Sequence, residues 1–362
     1  MARQLDILAL EPFFGGVRRS MLEALVRYSR HRWTVLKLPP RRIERRLTAA
    51  ANWFAEQLGR HWVGRMDLLF TSEAMNLASL LRMMPQLAAA PSLVYFHDNQ
   101  LPDLSLRAAE GNDNELDLVN LNTAQAATEI WFNSAYHKQI FFIFSRALIE
   151  RHRELSAHDP IPALVAKARL FPPPVDLSLI HELQASGEVI ERKARTVFVE
   201  TRDADMRLLN NAIAKLRKQH VPFNLITVGP VDSLDPSVER TTISEYDEIA
   251  QARGMLSAST VVSVKPAAPC DYLVVRALAA GCRPVLPDAG VYPELLPESL
   301  HRAGLYAVDS EPLADHIALA IGSNAPPWNP ADAKPALKPF DAMSQCRLID
   351  ERIEQIVLGH KS

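Results

Sequence analysis

Leu5-Asp6-Ile7-Leu8-Ala9-Leu10-Glu11-Pro12-Phe13-Phe14-Gly15-Gly16 is the stretch on which the reading of the whole chain turns. Leu5 to Leu10 is a short apolar run, the pattern of a strand covered on both faces in a parallel sheet. Pro12 has no N–H to give a central ladder, so the strand stops there. The paired glycines let the backbone take positive φ, or come close to a ligand or to the next helix. From Arg18 to Arg30 the spacing of Met21, Leu22, Leu25 and Val26 is helical. The loop thus closes a first strand-to-helix unit at the strand's carboxyl end, the edge at which open α/β sheets bind ligands.

The same alternation continues. Strands are predicted at Leu5–Leu10, Trp33–Leu38, Asp67–Thr71, Ser92–Phe96, Glu129–Phe132 and Ala168–Phe171, with helical stretches between them. That pattern specifies a doubly wound, mostly parallel sheet. Phe171-Pro172-Pro173-Pro174-Val175-Asp176 then breaks any regular element, because consecutive prolines lock φ and remove donors. A second series follows at Thr196–Glu200, Phe223–Val228, Thr260–Val264 and Pro284–Leu286. The chain of 362 residues therefore reads as two α/β domains, 1–175 and 176–335. Residues 336–362 form a terminal helix, with Met343, Cys346, Leu348, Ile349, Ile353, Ile356 and Val357 on its apolar side, expected to pack back toward the N-terminal domain.

Composition excludes several classes. Hydrophobic residues make up 48% and charged residues 23%, and no apolar run reaches the roughly 18 residues of a membrane span, so no membrane partner is expected. Met1-Ala2-Arg3-Gln4 leads into the first strand without a secretory apolar segment, and Cys270, Cys282 and Cys346 are too few for a disulfide framework, so a cytoplasmic protein is expected. Their spacing fits no zinc motif, and no metal site is predicted. Net charge is −2, so global electrostatics do not draw the protein to nucleic acid. Arg18 to Arg46 is locally basic, with Arg41-Arg42 and Arg45-Arg46 opposed only by Glu23 and Glu44, which is either a solvated helix face or a footing for an anionic partner.

Three clusters can carry chemistry. The strand Leu93-Val94-Tyr95-Phe96 delivers His97-Asp98-Asn99-Gln100 at its carboxyl end. His97 can orient a hydroxyl or take its proton while Asp98 holds the other ring nitrogen; the plainer alternative is a histidine satisfied within a loop. After Ile130-Trp131-Phe132, Asn133 or Ser134 caps the next helix, whose N-terminus can also meet an anion. In the second domain Arg202 and Arg207 follow the strand Thr196–Glu200, spaced to clamp a diphosphate or else simply solvated. Lys265 ends the strand Thr260–Val264, and Tyr292 and Glu294 lie where they are expected to line the same site.

Assembled, these segments resemble the tRNA-queuosine mannosyltransferase-like proteins of glycosyltransferase-B (GT-B) fold, relatives of the large retaining glycosyltransferase family 4. The resemblance covers most of the chain and is carried by Glu11–Gly16, by Tyr95-Phe96-His97-Asp98-Asn99-Gln100 and by Phe132-Asn133-Ser134. Leu69–Ser72 with Asn76-Leu77-Ala78, and Val291-Tyr292-Pro293-Glu294, add to it. It implies two Rossmann-like domains facing a cleft, the first holding the acceptor and the second a nucleotide sugar. The implied donor is GDP-mannose, the implied acceptor queuosine in a tRNA anticodon, and no further cofactor is implied. His97 looks like the histidine that contacts the transferred sugar, with Asp98 beside it. Gly15 and Gly16 look like the loop that approaches the donor phosphates. Glu11, Asn99, Gln100, Asn133 and Ser134 fall on the acceptor side. Arg202 and Arg207 keep the spacing of the family's diphosphate-binding arginine and lysine, with Lys265, Tyr292 and Glu294 completing the donor side. Two family glutamates, eight residues apart, fall on Ala268 and Arg276.

The expectation is a retaining hexosyltransferase, with charge on the departing diphosphate met by Arg202, Arg207 and Lys265. The alternative is a catalytically silent relative that binds a nucleoside or RNA through its N-terminal domain. A nicotinamide-dependent oxidoreductase is disfavoured because no Gly-x-Gly-x-x-Gly follows either first strand.

Overall fold

The apolar runs become parallel strands. In the N-terminal part these are β1 (Asp6–Glu11), β2 (Arg32–Lys37), β3 (Leu68–Ser72), β4 (Ser92–Phe96), β5 (Glu129–Phe132) and β6 (Ala168–Leu170). Every residue of β3, β4 and β5 is buried, as in strands covered by helices on both faces. The sheet order is β2-β1-β3-β4-β5-β6, so the winding reverses between β1 and β3. The computed structural model describes residues 3–61, 64–98, 118–152, 158–322 and 328–361. It divides into one unit of Met1–Pro174 with Ala342–Ser362 and a second of Val175–Asp341.

Side chains alternate between the two faces of the first sheet. Leu8, Leu10, Leu69, Val94, Phe96, Ile130 and Phe132 pack with Phe54 and Phe141 of the helices Ile43–His61 and Ala135–Arg151. Ile7, Ala9, Leu68, Phe70, Leu93, Tyr95 and Trp131 pack on the other face against Met21 and Leu25 of the helix Gly16–Tyr28. Cys346, Ile349, Ile353 and Ile356 of the terminal helix Ala342–Lys361 join that same cluster. Met343 and Leu348, expected on its apolar side, are instead 69% and 48% exposed. They lie off the line of positions 346, 349, 353 and 356, which at 3.6 residues per turn makes a single stripe. The helix is also held by charge: Asp350 accepts from Ser29 Oγ and, at 2.8 Å, from Arg30 N, while Arg352 pairs with the buried Glu129.

The second unit carries β7 (Lys193–Glu200), β8 (Asn224–Val228), β9 (Arg240–Ile243), β10 (Ala258–Val262), β11 (Arg283–Pro287) and β12 (Leu305–Tyr306). Their order, β12-β11-β10-β7-β8-β9, is the Rossmann arrangement, with its reversal between β7 and β10. β9 and β12 are absent from the sequence reading. Arg240-Thr241-Thr242-Ile243 is a partly exposed edge strand, and β12 has two residues, so neither shows an apolar run. The second crossing lies at Asp341–Ala342 rather than at 335, because the short turns from Pro330 to Phe340 stay with this unit: Trp328 Nε1 donates to Gly281 O and Val175 N to Phe340 O. Cys282 and Cys346 are buried, and Cys270, Cys282 and Cys346 form no disulfide with one another. Among the described residues no helix is long and apolar enough to cross a membrane.

Candidate active site

In the first unit the chemistry collects where β1, β3, β4 and β5 end. β1 closes on Glu11, which is 1% exposed. Its Oε1 accepts from Phe13 N at 2.8 Å and from Ser72 Oγ at 3.0 Å. Burial pushes its carboxyl up to about 7, against the pull of Arg18. Gly15 has extended backbone and is required by packing, since a Cβ there would stand 2.6 Å from Pro40 Cβ. Its close approach is thus to the loop after β2. Gly16 opens the helix at φ +50, a left-handed position with open space around it.

That helix carries Arg18 in its first turn, and Arg18 pairs with Glu73, the residue after β3. Glu73 is fully buried. Besides the guanidinium it accepts two consecutive backbone N–H groups, from His97 at 3.2 Å and Asp98 at 3.3 Å. Burial still holds its carboxyl above the usual range. The carbonyl of His97 accepts from Asn133 Nδ2 at 2.9 Å, and Asn133 Oδ1 meets His137 Nδ1 at 2.9 Å. Ser134 caps the helix Ala135–Arg151 by accepting from His137 N. The imidazole of His97 lies 4.6 Å from the Tyr95 ring, whose hydroxyl donates to Phe171 O. Burial, with Arg18 and His137 nearby, keeps His97 neutral well below its ordinary pKa. Burial likewise takes His137 down to about 3.

The residues expected on this side differ in burial and partners. His97, 4% exposed, is a neutral imidazole at the end of β4, suited to accept from or donate to a hydroxyl. Asp98 contributes its backbone N–H to Glu73 while its side chain is exposed. Glu11, Asn133 and Ser134, expected to meet the acceptor directly, are 1%, 3% and 6% exposed and are engaged with the protein itself. They build the wall behind His97, because side chains at the ends of covered strands have backbone N–H and C=O groups to satisfy. Asn99 and Gln100 lie outside the described residues. Glu73, Arg18 and His137 did not emerge from the sequence. The one local signal is a carboxylate, Glu73, directly after a wholly buried strand.

In the second unit the winding reversal again gathers charge. Glu200 closes β7 and pairs with Lys265, three residues beyond β10. Burial opposes the Lys265 ammonium, yet Asp271 and Glu200 outweigh it and raise its pKa. Arg202 pairs with Glu245 of the loop after β9. Gly229, at φ +101, lets the loop after β8 pass the Thr201–Arg202 turn, where a Cβ would stand 3.1 Å from Thr201 Oγ1. Asp205 caps the helix Met206–Lys218 through the backbone N–H groups of Arg207 and Leu208, leaving the Arg207 side chain exposed.

Tyr292, expected to line the donor site, is fully buried. Its hydroxyl meets Ser263 Oγ at 2.6 Å and donates to Asp271 Oδ2 at 2.9 Å, so it orients the residue that caps the helix Tyr272–Ala279. Ring burial, together with this polar tip, makes it a brace. Glu294 is exposed beside it. Ala268 sits in a loop pressed against Gly290, where a Cβ would stand 2.8 Å from Pro266 O and 3.0 Å from Ala268 O. Arg276 is mostly buried, its pKa lowered by burial against the opposing pull of Glu248 and Asp176. No group of three or more metal-ligating side chains occurs among the described residues.

Residues 6–175 match the family model described as tRNA-queuosine alpha-mannosyltransferase N-terminal. The N-terminal unit is thus similar to this family. A tRNA-queuosine alpha-mannosyltransferase from Drosophila melanogaster is 24% identical over 318 residues, covering 81% of this chain and 82% of that protein. Among solved structures, a sucrose-phosphate synthase from Thermosynechococcus elongatus aligns with TM-score 0.63 at 16% identity, covering 99% of this chain and 100% of that one. The catalytic domain of starch synthase IV from Arabidopsis thaliana, bound to ADP and acarbose, aligns at 0.65 and 12% identity, covering 98% and 100%. A UDP-forming alpha,alpha-trehalose-phosphate synthase from Burkholderia xenovorans, in complex with glucose-6-phosphate, aligns at 0.65 and 13%, covering 96% and 100%. These likenesses establish the GT-B fold. In the terms of the queuosine mannosyltransferase family, the matched region holds Glu11–Gly16, His97 and Asn133-Ser134 together at one sheet edge.

Proposed function

We propose that this protein is a glycosyltransferase that moves a hexose, mannose in the first instance, from a nucleotide sugar such as GDP-mannose to queuosine in tRNA. The observation that carries the reading is the neutral His97 held by both its backbone N–H and its C=O at the carboxyl edge of a sheet matched to that family. In the transfer, the bond from the anomeric carbon to the diphosphate oxygen breaks and an acceptor hydroxyl oxygen bonds to that carbon, its proton passing to the departing diphosphate. A neutral imidazole at hydrogen-bond distance can orient a sugar or acceptor hydroxyl. The second unit supplies positive charge for the departing diphosphate in Arg202, Arg207 and Lys265, of which Arg202 and Lys265 already have carboxylate partners that a diphosphate would have to displace.

A second reading has its own support. Ala268 and Arg276 stand where the family has two glutamates, so a relative without turnover that binds a nucleoside or RNA through the first unit remains the competing account.

The test combines binding and turnover. Thermal-shift and calorimetric titrations with GDP, UDP, ADP and GDP-mannose are run on the native protein and on Arg202→Ala and Arg207→Ala, followed by incubation of native protein and His97→Ala with queuosine-containing tRNA and the donor that binds. A ligand that binds only the folded state raises its midpoint. A shift with one nucleotide, lost in the arginine variants, together with sugar transfer lost in His97→Ala, supports the transferase. A folded protein that answers to no nucleotide yet binds the tRNA supports the silent relative.

A further inference from the structure

We infer that Glu73, braced by Arg18, is the positioning residue that sets the turn carrying His97. The inference rests on the role given to His97 above and extends it to residues that have no other evident task. A carboxylate with no exposed surface is strongly unfavourable unless its lone pairs are filled and its charge is opposed. Glu73 meets both conditions, with Arg18 against it and two N–H donors on it.

The direction of those donors is the point. An apolar side chain after β3 would pack at lower cost, so the buried charge is explained by what it holds. The two N–H groups belong to consecutive residues, His97 and Asp98, at the place where β4 stops and its ladder can no longer satisfy them. Fixing both N–H vectors on one carboxylate fixes the peptide plane between them. The remaining polar group of His97, its carbonyl, is held from the opposite side by Asn133. The His97 backbone is thereby clamped through both of its hydrogen-bonding groups by buried side chains from two different loops. Glu73 itself is anchored through its carbonyl, which accepts from Asn120 Nδ2 at 2.9 Å. Glu73 touches the backbone of His97 and no reacting atom, so its effect runs through the direction in which the imidazole leaves the strand.

Glu73→Gln tests this directly. An amide keeps one acceptor oxygen but turns an NH2 toward the second N–H, so the clamp loses half its hold at nearly constant volume. Two readouts are taken. The first, with no substrate present, is the backbone amide and imidazole resonances of His97 and the amide of Asp98, which are expected to move while amides remote from β3 and β4 stay in place. The second is transfer kinetics with the donor and acceptor proposed above: kcat is expected to fall by roughly 10²-fold, as for a misplaced reacting group, with KM for both substrates within about twofold. Should Glu73→Gln fail to fold, Arg18→Lys keeps the charge but not the guanidinium geometry, and the same resonances are read. Unmoved His97 and Asp98 resonances in a folded variant overturn the positioning role, whatever the reaction proves to be. Moved resonances with wild-type kcat overturn the catalytic importance of the clamp. If His97→Ala retains turnover, the role of His97 falls while the resonance result still decides whether Glu73 sets the turn.

Discussion

Glu11→Gln is expected to stabilise the first unit, and by more as pH rises. Glu11 is 1% exposed, and its folded-state pKa stands at about 7 against an ordinary 4.5, chiefly through burial. An acid whose pKa is raised by folding keeps its proton in the folded chain after the unfolded chain has lost it. Its contribution is therefore nil below pH 4.5, grows unfavourable between 4.5 and 7, and is constant above. At about 1.36 kcal/mol for each tenfold in proton affinity, the interval corresponds to ~3 kcal/mol. Glutamine reproduces the protonated shape, and its oxygen still accepts from Phe13 N and Ser72 Oγ. Its NH2 group replaces Oε2, which has no hydrogen-bond partner among the described residues, and leaving an amide unsatisfied there costs about 1 kcal/mol. The net gain expected at pH 8.5 is about 2 kcal/mol, vanishing near pH 5. His137 acts the other way. Its folded pKa of about 3 lies below the ordinary 6.5, so the stability of both proteins falls as pH drops below 6.5, and the difference between them cancels this slope. The assay is urea denaturation at pH 5, 7 and 8.5, followed by tryptophan fluorescence, to which the first unit contributes Trp33, Trp53, Trp62 and Trp131 and the second Trp328. A difference that is flat across this range, or a variant less stable than the native protein at pH 8.5, refutes the argument.

Other substitutions probe other joints of the molecule. Arg352→Ala leaves Glu129, 4% exposed, with Trp131 Nε1 at 2.6 Å and Arg169 at 4.0 Å. A loss of about 2 kcal/mol is expected, with hydrogen exchange accelerating along Ala342–Lys361, and unchanged protection there would count against the ion pair as the helix's anchor. Gly15→Ala meets Pro40 at 2.6 Å and is expected to cost about 2–3 kcal/mol, whereas Gly16→Ala meets nothing and pays only about 1 kcal/mol for φ +50. Urea midpoints in the reverse order would show that backbone strain, not the Pro40 contact, governs the loop.

How much was legible in the primary structure follows from where each signal lies along the chain. β1, β3, β4 and β5 could be read because a strand covered on both faces must be apolar throughout, and such a run is local. A cap at Asn133 or Ser134 was visible for the same reason, and Ser134 takes it, acting on a residue three positions on. β9 was missed because an edge strand needs one face of ordinary polarity, which Arg240-Thr241-Thr242-Ile243 has. Tyr292 is expected from the sequence to line the donor site because nothing local announces that Ser263 and Asp271, 29 and 21 residues away, take up its hydroxyl.

By itself, then, the sequence determined two parallel α/β units, the strand ends at which their polar side chains gather, and a set of motifs specific enough to bring out the likeness of the first unit to one family. Hydrophobic period, proline and glycine placement, and caps all act over a few residues, so they survive in one dimension. Which of the polar side chains at those strand ends are buried and held by the protein, and which are left exposed, was decided only in three dimensions. Arg18 meets Glu73 across 55 positions, and Glu73 meets His97 across 24. Winding about the β1–β3 reversal brings these three together, and burial then sets their charge: Glu11 held toward its protonated form, His97 neutral, Arg18 cationic between two carboxyls.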